Sequence, residues 1–204
     1  MAKRSAPEVN AGSMADIAFL LLIFFLVTTT IEKDSGLNRK LPPIEEDIEP
    51  PIIKQRNIFT VLLNGKDQLL VEEELMEIKD LRAAAIEFLE NNGDGTCTYC
   101  KGPKNSSSSD NPDKAIISLK NDRETSYATY ISVQNELVAA YNDLRDREFS
   151  RLFPNEGMTF VEANKKYSDP RTLTDEKDRL RPKLSEVKLL FPQKLSEAEP
   201  SKTN

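Results

Sequence analysis

The 204-residue chain has no histidine, no tryptophan and only two cysteines. Without histidine the commonest general base and metal ligand near neutral pH is missing. No Ser-His-Asp or Cys-His nucleophilic arrangement can be assembled, and no His-containing zinc site. Two cysteines alone are two ligands short of a tetrahedral zinc site. Positive charge is also in deficit, with 28 Lys and Arg against 34 Asp and Glu and a net charge of −6. That balance argues against a nucleic-acid partner. These absences exclude histidine-based catalysis and a histidine-containing zinc site, and no cofactor or metal is expected.

Long apolar runs are absent but for one. Residues 15–31 read ADIAFLLLIFFLVTTTI, and the eleven residues from Ile17 to Val27 are apolar without a break. As a helix, residues 15–31 advance about 25 Å, inside the range that crosses a hydrocarbon core. Lys3 and Arg4 resemble the start of a secretory signal, but Thr28-Thr29-Thr30-Ile31-Glu32 is a poor cleavage site. A retained membrane anchor over 14–31, preceded by a tail over 1–13, is therefore expected, with the lipid bilayer as its surroundings. Orientation stays open on charge, since Lys3 and Arg4 precede the run while Lys33, Arg39 and Lys40 follow it.

Asp16 sits at the mouth of this run. A carboxylate in a spanning helix costs about 2.5–3.5 kcal/mol on insertion scales and marks a functional site by default. Taking up a proton relieves that cost, so Asp16 is a candidate proton carrier. Moving one charge through 100 mV releases about 2.3 kcal/mol. The alternative is structural: Ser13-Met14-Ala15-Asp16 has the spacing of a capping box, and a carboxylate suits a helix start. Thr28 and Thr29 either bond back to helix carbonyls or line a polar path.

Residues 32–56 carry the pairs Pro42-Pro43 and Pro50-Pro51 and read as an extended linker or a plain spacer. A folded domain is expected over 57–199. Ile58 to Leu63 and Gln68 to Val71 form a hairpin around Asn64-Gly65. Asp80 caps a helix with Leu81, Ala84, Ala85, Phe88 and Leu89 on one face. Ala115 to Leu119 is a third strand, and a second helix starts near Thr125 or Ser126. It places Tyr127, Tyr130, Ile131, Leu137, Val138, Tyr141 and Leu144 on one side. Phe191 to Glu197 is the candidate closing strand. The order predicts a small α+β domain, a sheet with two helices on one face. Insertions stand at 93–112 and about 146–185; the latter is helical in pattern over Phe160 to Tyr167 and Asp175 to Leu190, with Pro182 breaking the second stretch. In the first insertion Ser106 to Ser109 reads as low-complexity surface loop. Cys97 and Cys100 lie there as Cys-Thr-Tyr-Cys, open to a redox pair, a metal site or a local disulfide in an oxidising compartment; the last is favoured.

Val9-Asn10, then Asp16-Ile17, then Leu20 through Thr28, resemble the N-terminal signature of the ExbD/TolR biopolymer-transport proteins. Leu41-Pro42 matches the Leu-Pro that often follows the span, with Lys40 where an acidic residue is usual. Ser13 stands where the family frequently has Pro, which bears on the local helix start. The specific likeness covers roughly residues 9–28, with a looser agreement in architecture to about residue 145. It implies a bacterial inner-membrane protein with a cytoplasmic N-terminus, one span and a periplasmic α+β domain. Asp16 matches the family's essential Asp, and Asn10 its upstream Asn. Asn10, Ser13, Thr28 and Thr29 become candidates for a polar path. The resemblance further implies a ring of the ExbB/TolQ type around a pair of such chains, and a TonB-like periplasmic partner driven by the proton motive force. The competing function is a membrane-anchored thiol-disulfide protein using Cys97 and Cys100, with Asp16 only a cap.

Overall fold

A computed structural model describes residues 11–28 and 53–198. The chain divides into two units, Met1–Glu49 and Pro50–Asn204. Asn10, Thr29 and nearly all of the expected linker lie outside the described residues.

In the first unit Ala11–Thr28 forms one helix, α1. From Met14 to Val27 it has no Gly or Pro to interrupt intrahelical hydrogen bonding. Its described side chains from Met14 to Phe25 are exposed and, apart from Asp16, apolar on every side. Among the described residues no helix is long and apolar enough to cross a membrane. Residues 29–31 of the expected span over 14–31 lie outside the described residues. The capping-box reading of Ser13 and Asp16 is corrected. The helix already includes Ala11, so Ser13 is an interior residue and no acidic residue stands in the first turn.

The second unit is built on a five-stranded sheet of order β3-β2-β1-β4-β5. Its strands are β1 (Ile58–Leu63), β2 (Leu69–Val71), β3 (Glu74–Met76), β4 (Ile116–Asn121) and β5 (Leu195–Ala198). β1 pairs antiparallel with β2, and β2 with β3, while β1–β4 and β4–β5 are parallel. The helices are α2 (Ile78–Leu89), α3 (Tyr127–Leu152), α4 (Phe160–Ser168) and α5 (Thr174–Leu190). Alternation along β1 buries Phe59, Val61 and Leu63 and leaves Ile58, Thr60 and Leu62 half-buried, the period expected of a strand with one covered face. The buried set joins Leu81, Ala85, Phe88 and Leu89 of α2 and Val133, Leu137, Ala140, Tyr141 and Leu144 of α3 in the main core.

Several elements differ from the sequence expectations. The turn after β1 is organised by the Asn64 carboxamide, whose Oδ1 accepts from Lys66 N and Gln68 N, and the left-handed residue is Asp67 rather than Gly65. β3 was not foreseen, because its turn puts Glu72 and Glu73 at φ 49° and 72°, where Asn-Gly is the usual signal. Asp80 does not cap α2; Glu77 holds that position, and Asp80 lies in the first turn, where its charge still complements the helix dipole. Ser126 does cap α3, accepting from Thr129 N at 3.2 Å. Tyr127 is 77 % exposed and is no part of the core.

α3 carries on through residue 146 to Leu152. The segment after residue 145 therefore grows out of a continuous helix. Phe149 from the end of α3, Phe160 and Ala163 of α4, and Leu180, Leu184 and Val187 of α5 form a second, smaller core. Pro182 does not break α5, which is continuous. Pro182 faces solvent, and the buried Leu180, Leu184 and Val187 hold the turns on either side of it. After α5 the chain returns to the sheet, where Ile117 N donates to Lys194 O at 2.9 Å and β5 adds beside β4.

Candidate functional site

Asp16 is the one ionisable residue of α1. Phe19 and Leu20, three and four residues on, share its helix face, so the carboxylate is set among apolar side chains. Thr28 ends the same helix, twelve residues and about 18 Å along the axis from Asp16. That is too far for a direct hydrogen bond. Ser13 lies within α1, while Asn10 and Thr29 fall outside the described residues.

Cys97 and Cys100 are joined by a disulfide, with their Cα atoms 5.6 Å apart. Both are half-buried in the long loop between α2 and β4. Cys97 is not at a helix N-terminus, the placement that lowers a thiol pKa in thioredoxin-like pairs. Asn92 clamps Cys97 through both ends of its carboxamide: Cys97 N donates to Oδ1 at 2.9 Å, and Nδ2 donates to Cys97 O at 2.8 Å. Among the described residues no cluster of three or more Cys, Asp or Glu could hold a metal ion.

The loop is more ordered than its Gly-, Asn- and Ser-rich composition implies. Asn91, at the end of α2, donates to the carbonyls of Asn105 and Ser109 at 2.8 and 2.7 Å and accepts from Asn105 N. The surface reading of Ser106 to Ser109 is corrected at its end, since Ser109 is fully buried. Gly102 meets the end of α2 so closely that a Cβ there would lie 2.4 Å from Glu90 O.

Sequence reasoning missed two charged clusters. In the first, the buried Asp110 faces Arg56 and Lys54 as ion-pair partners, and accepts from Asn57 Nδ2 at 3.3 Å. Its own backbone N–H donates to Asn57 Oδ1 at 2.8 Å. Burial by itself would raise the Asp110 pKa, but the Asn57 hydrogen bond and the Arg56 and Lys54 charges hold it below the usual carboxylate range. Asp94 nearby accepts from Thr96 and Lys114; against the opposing effect of desolvation, these bonds and the Lys114 charge bring its pKa down to about 2. In the second cluster Glu148 is fully buried and paired with Arg147 at 3.2 Å and Arg151 at 2.6 Å, while Arg147 also reaches Glu90 at 2.6 Å. Arg145, 7 % exposed, donates from Nε and Nη2 to Phe191 O at 3.0 and 2.7 Å, and burial lowers its pKa. No local pattern reports the contacts of Asn57 with Asp110, Glu90 with Arg147 or Arg145 with Phe191 O, whose partners lie 53, 57 and 46 residues apart in the chain.

The family model described as biopolymer transport protein ExbD/TolR matches residues 2–145. The match runs from residue 2 through α1, β1 to β4 and α2, and ends seven residues before the end of α3. α4, α5 and β5 lie beyond it. "Biopolymer transport protein exbD2" of Vibrio cholerae is 25 % identical over 87 residues, which are 43 % of this chain and 62 % of that protein. The aligned part thus spans less than two thirds of the relative's length.

Proposed function

Since the chain belongs to the ExbD/TolR family, we propose that it is an ExbD-like subunit of an inner-membrane energy transducer, driven by the proton motive force and without enzymatic activity of its own. The observation that carries this reading is the position of Asp16, a lone carboxylate in a helix that is otherwise apolar all round. A helix of that kind is at home in a protein core or a bilayer. In this reading it continues past the described side chains to about residue 31 and spans the bilayer with the N-terminus cytoplasmic. The domain after it lies in the periplasm.

A single helix cannot shield a carboxylate from lipid, so the helix needs a polytopic companion. A ring of the ExbB/TolQ type enclosing two copies of α1 meets that need. Asp16 takes a proton from one side and releases it to the other. Neutralising the carboxylate removes most of the cost of placing it in an apolar setting, so each exchange shifts how the helix sits in the ring. Asn10, Ser13, Thr28 and Thr29 are the candidate polar path, with water bridging the distance between Asp16 and Thr28. The linker over 32–56 passes the movement to the periplasmic domain, which acts on a TonB-like protein serving outer-membrane transport.

The test is Asp16→Asn in the full chain, co-expressed with its polytopic partner. The variant is expected to reach normal levels and co-purify with the ring, while uptake dependent on the proton motive force falls by at least about 100-fold. Uptake retained at the wild-type rate overturns the proton-carrier role.

A further inference from the structure

The Cys97–Cys100 bridge closes a four-residue ring in which Tyr99 is the one large side chain. The Tyr99 ring stands edge-on to Phe191, with centroids 5.5 Å apart, and its hydroxyl donates to Leu190 O at 2.8 Å. Leu190 is the last residue of α5, where helix carbonyls have no intrahelical donor. Arg145 takes the next carbonyl, that of Phe191. Two side chains from outside α5 thus cap its end, four residues before β5 begins at the sheet edge.

We propose that the disulfide is a reducible clasp. The bridge holds Tyr99 on the end of α5 and so steadies edge strand β5, and an external dithiol releases both. The ring is positioned at one end by Asn92 on Cys97 and just past its other end by Gly102 N donating to Glu90 O at 3.1 Å. Between these two points the disulfide is the covalent restraint on where Tyr99 stands. Cutting it returns conformational freedom to the segment and weakens a contact that depends on orientation.

The exchange is complete with a dithiol as reductant. Its thiolate attacks one sulfur, the S–S bond breaks and a mixed disulfide forms. The donor's second thiolate then attacks the donor sulfur of that mixed disulfide. The donor departs as its own disulfide, and two electrons and two protons end on Cys97 and Cys100 as thiols. Cys100 N donates to Cys97 Sγ at 3.1 Å, and a hydrogen bond stabilises a departing thiolate. Attack therefore falls on Cys100 with Cys97 leaving first. Both cysteines are only half-buried, which leaves the bridge open to attack.

Hydrogen–deuterium exchange of the full chain, before and after dithiothreitol, tests the clasp, with thiol titration confirming two free thiols. Reduction is expected to speed exchange from Leu190 to Ala198 by about tenfold and to leave β1 and α2 unchanged. Tyr99→Phe, which keeps the disulfide and loses the hydroxyl, is expected to give about a threefold rise in the same segment without reductant. Cys97→Ser with Cys100→Ser should match the reduced protein and ignore dithiothreitol. A bridge that resists dithiothreitol in the folded protein, an unchanged segment after reduction or in Tyr99→Phe, or an equal rise in β1 and α2 each overturns the proposal.

Discussion

Asp110 and Asp94 show how two carboxylates in a loop govern acid stability. Both have folded-state pKa values below the ordinary value of 3.8, with Asp94 at about 2. A depressed pKa means that the folded state favours the ionised form. The stabilisation is therefore fully present above about pH 4, where the unfolded chain is ionised too, and is lost as pH falls toward 2. Urea unfolding of the domain should accordingly show its midpoint falling between pH 5 and pH 2. Asp94→Asn and Asp110→Asn should each be less stable than wild type at pH 7, and the difference should narrow at pH 2.5. A variant that loses as much at pH 2.5 as at pH 7 would show that these carboxylates stabilise by shape rather than charge. Neither residue stands out in the sequence, where Asp110 follows four serines like any loop residue. Its importance comes from Asn57, 53 positions earlier.

Two elements test whether local rules or packing dominate. Proline inside a helix removes one backbone donor and lowers helix propensity by about 3 kcal/mol, yet α5 runs through Pro182. Pro182→Ala should restore a hydrogen bond to Asp178 O and stabilise the domain by about 2 kcal/mol, after allowing about 1 kcal/mol for the looser unfolded chain. A lower urea midpoint in that variant would contradict this account. In the loop after α2, Gly102 lies against the backbone of Glu90 and Asn91. Gly102→Ala should cost about 1–3 kcal/mol, as overpacking does, and thermal unfolding would register it as a lower Tm. The helices and central strands were legible because their periodicity is strong: Ile58–Leu63, the α2 face and Phe160–Ser168 stand close to where the pattern puts them. β3 was not legible, since two adjacent glutamates in left-handed turn positions contradict local preference and are held there by the strand pairing around them.

At the scale of the whole molecule the ExbD/TolR-like region ends inside a helix. Residues 2–145 match the family, and α3 then continues for seven residues to found a second core with α4 and α5. Phe149 is the pivot, fully buried and edge-on to Phe153 and Phe160 at 5.3 and 6.3 Å. Phe149→Ala should cost about 3–5 kcal/mol. Hydrogen exchange should rise first in α4 and α5, while β1 and β4 keep their protection. Equal loss of protection in both cores would mean that they unfold as one unit. The route from α5 back to β5 passes Tyr99 and Arg145, so α5 and the sheet edge are tied together at that point.

Some properties follow from composition and order along the chain alone. The lack of histidine, the single apolar run with Asp16 at its mouth, the strand and helix periods and the family signature are all local, and local patterns survive without knowing the fold. Which distant residues meet was decided only when the chain closed on itself. Asn57 with Asp110, Arg145 with Phe191 O and Tyr99 with Leu190 O join positions that hydrophobic periodicity treats as unrelated. The physical reason is that a hydrogen bond or ion pair depends on ångström-scale position and orientation. Packing of the two cores supplies that precision, and sequence spacing does not.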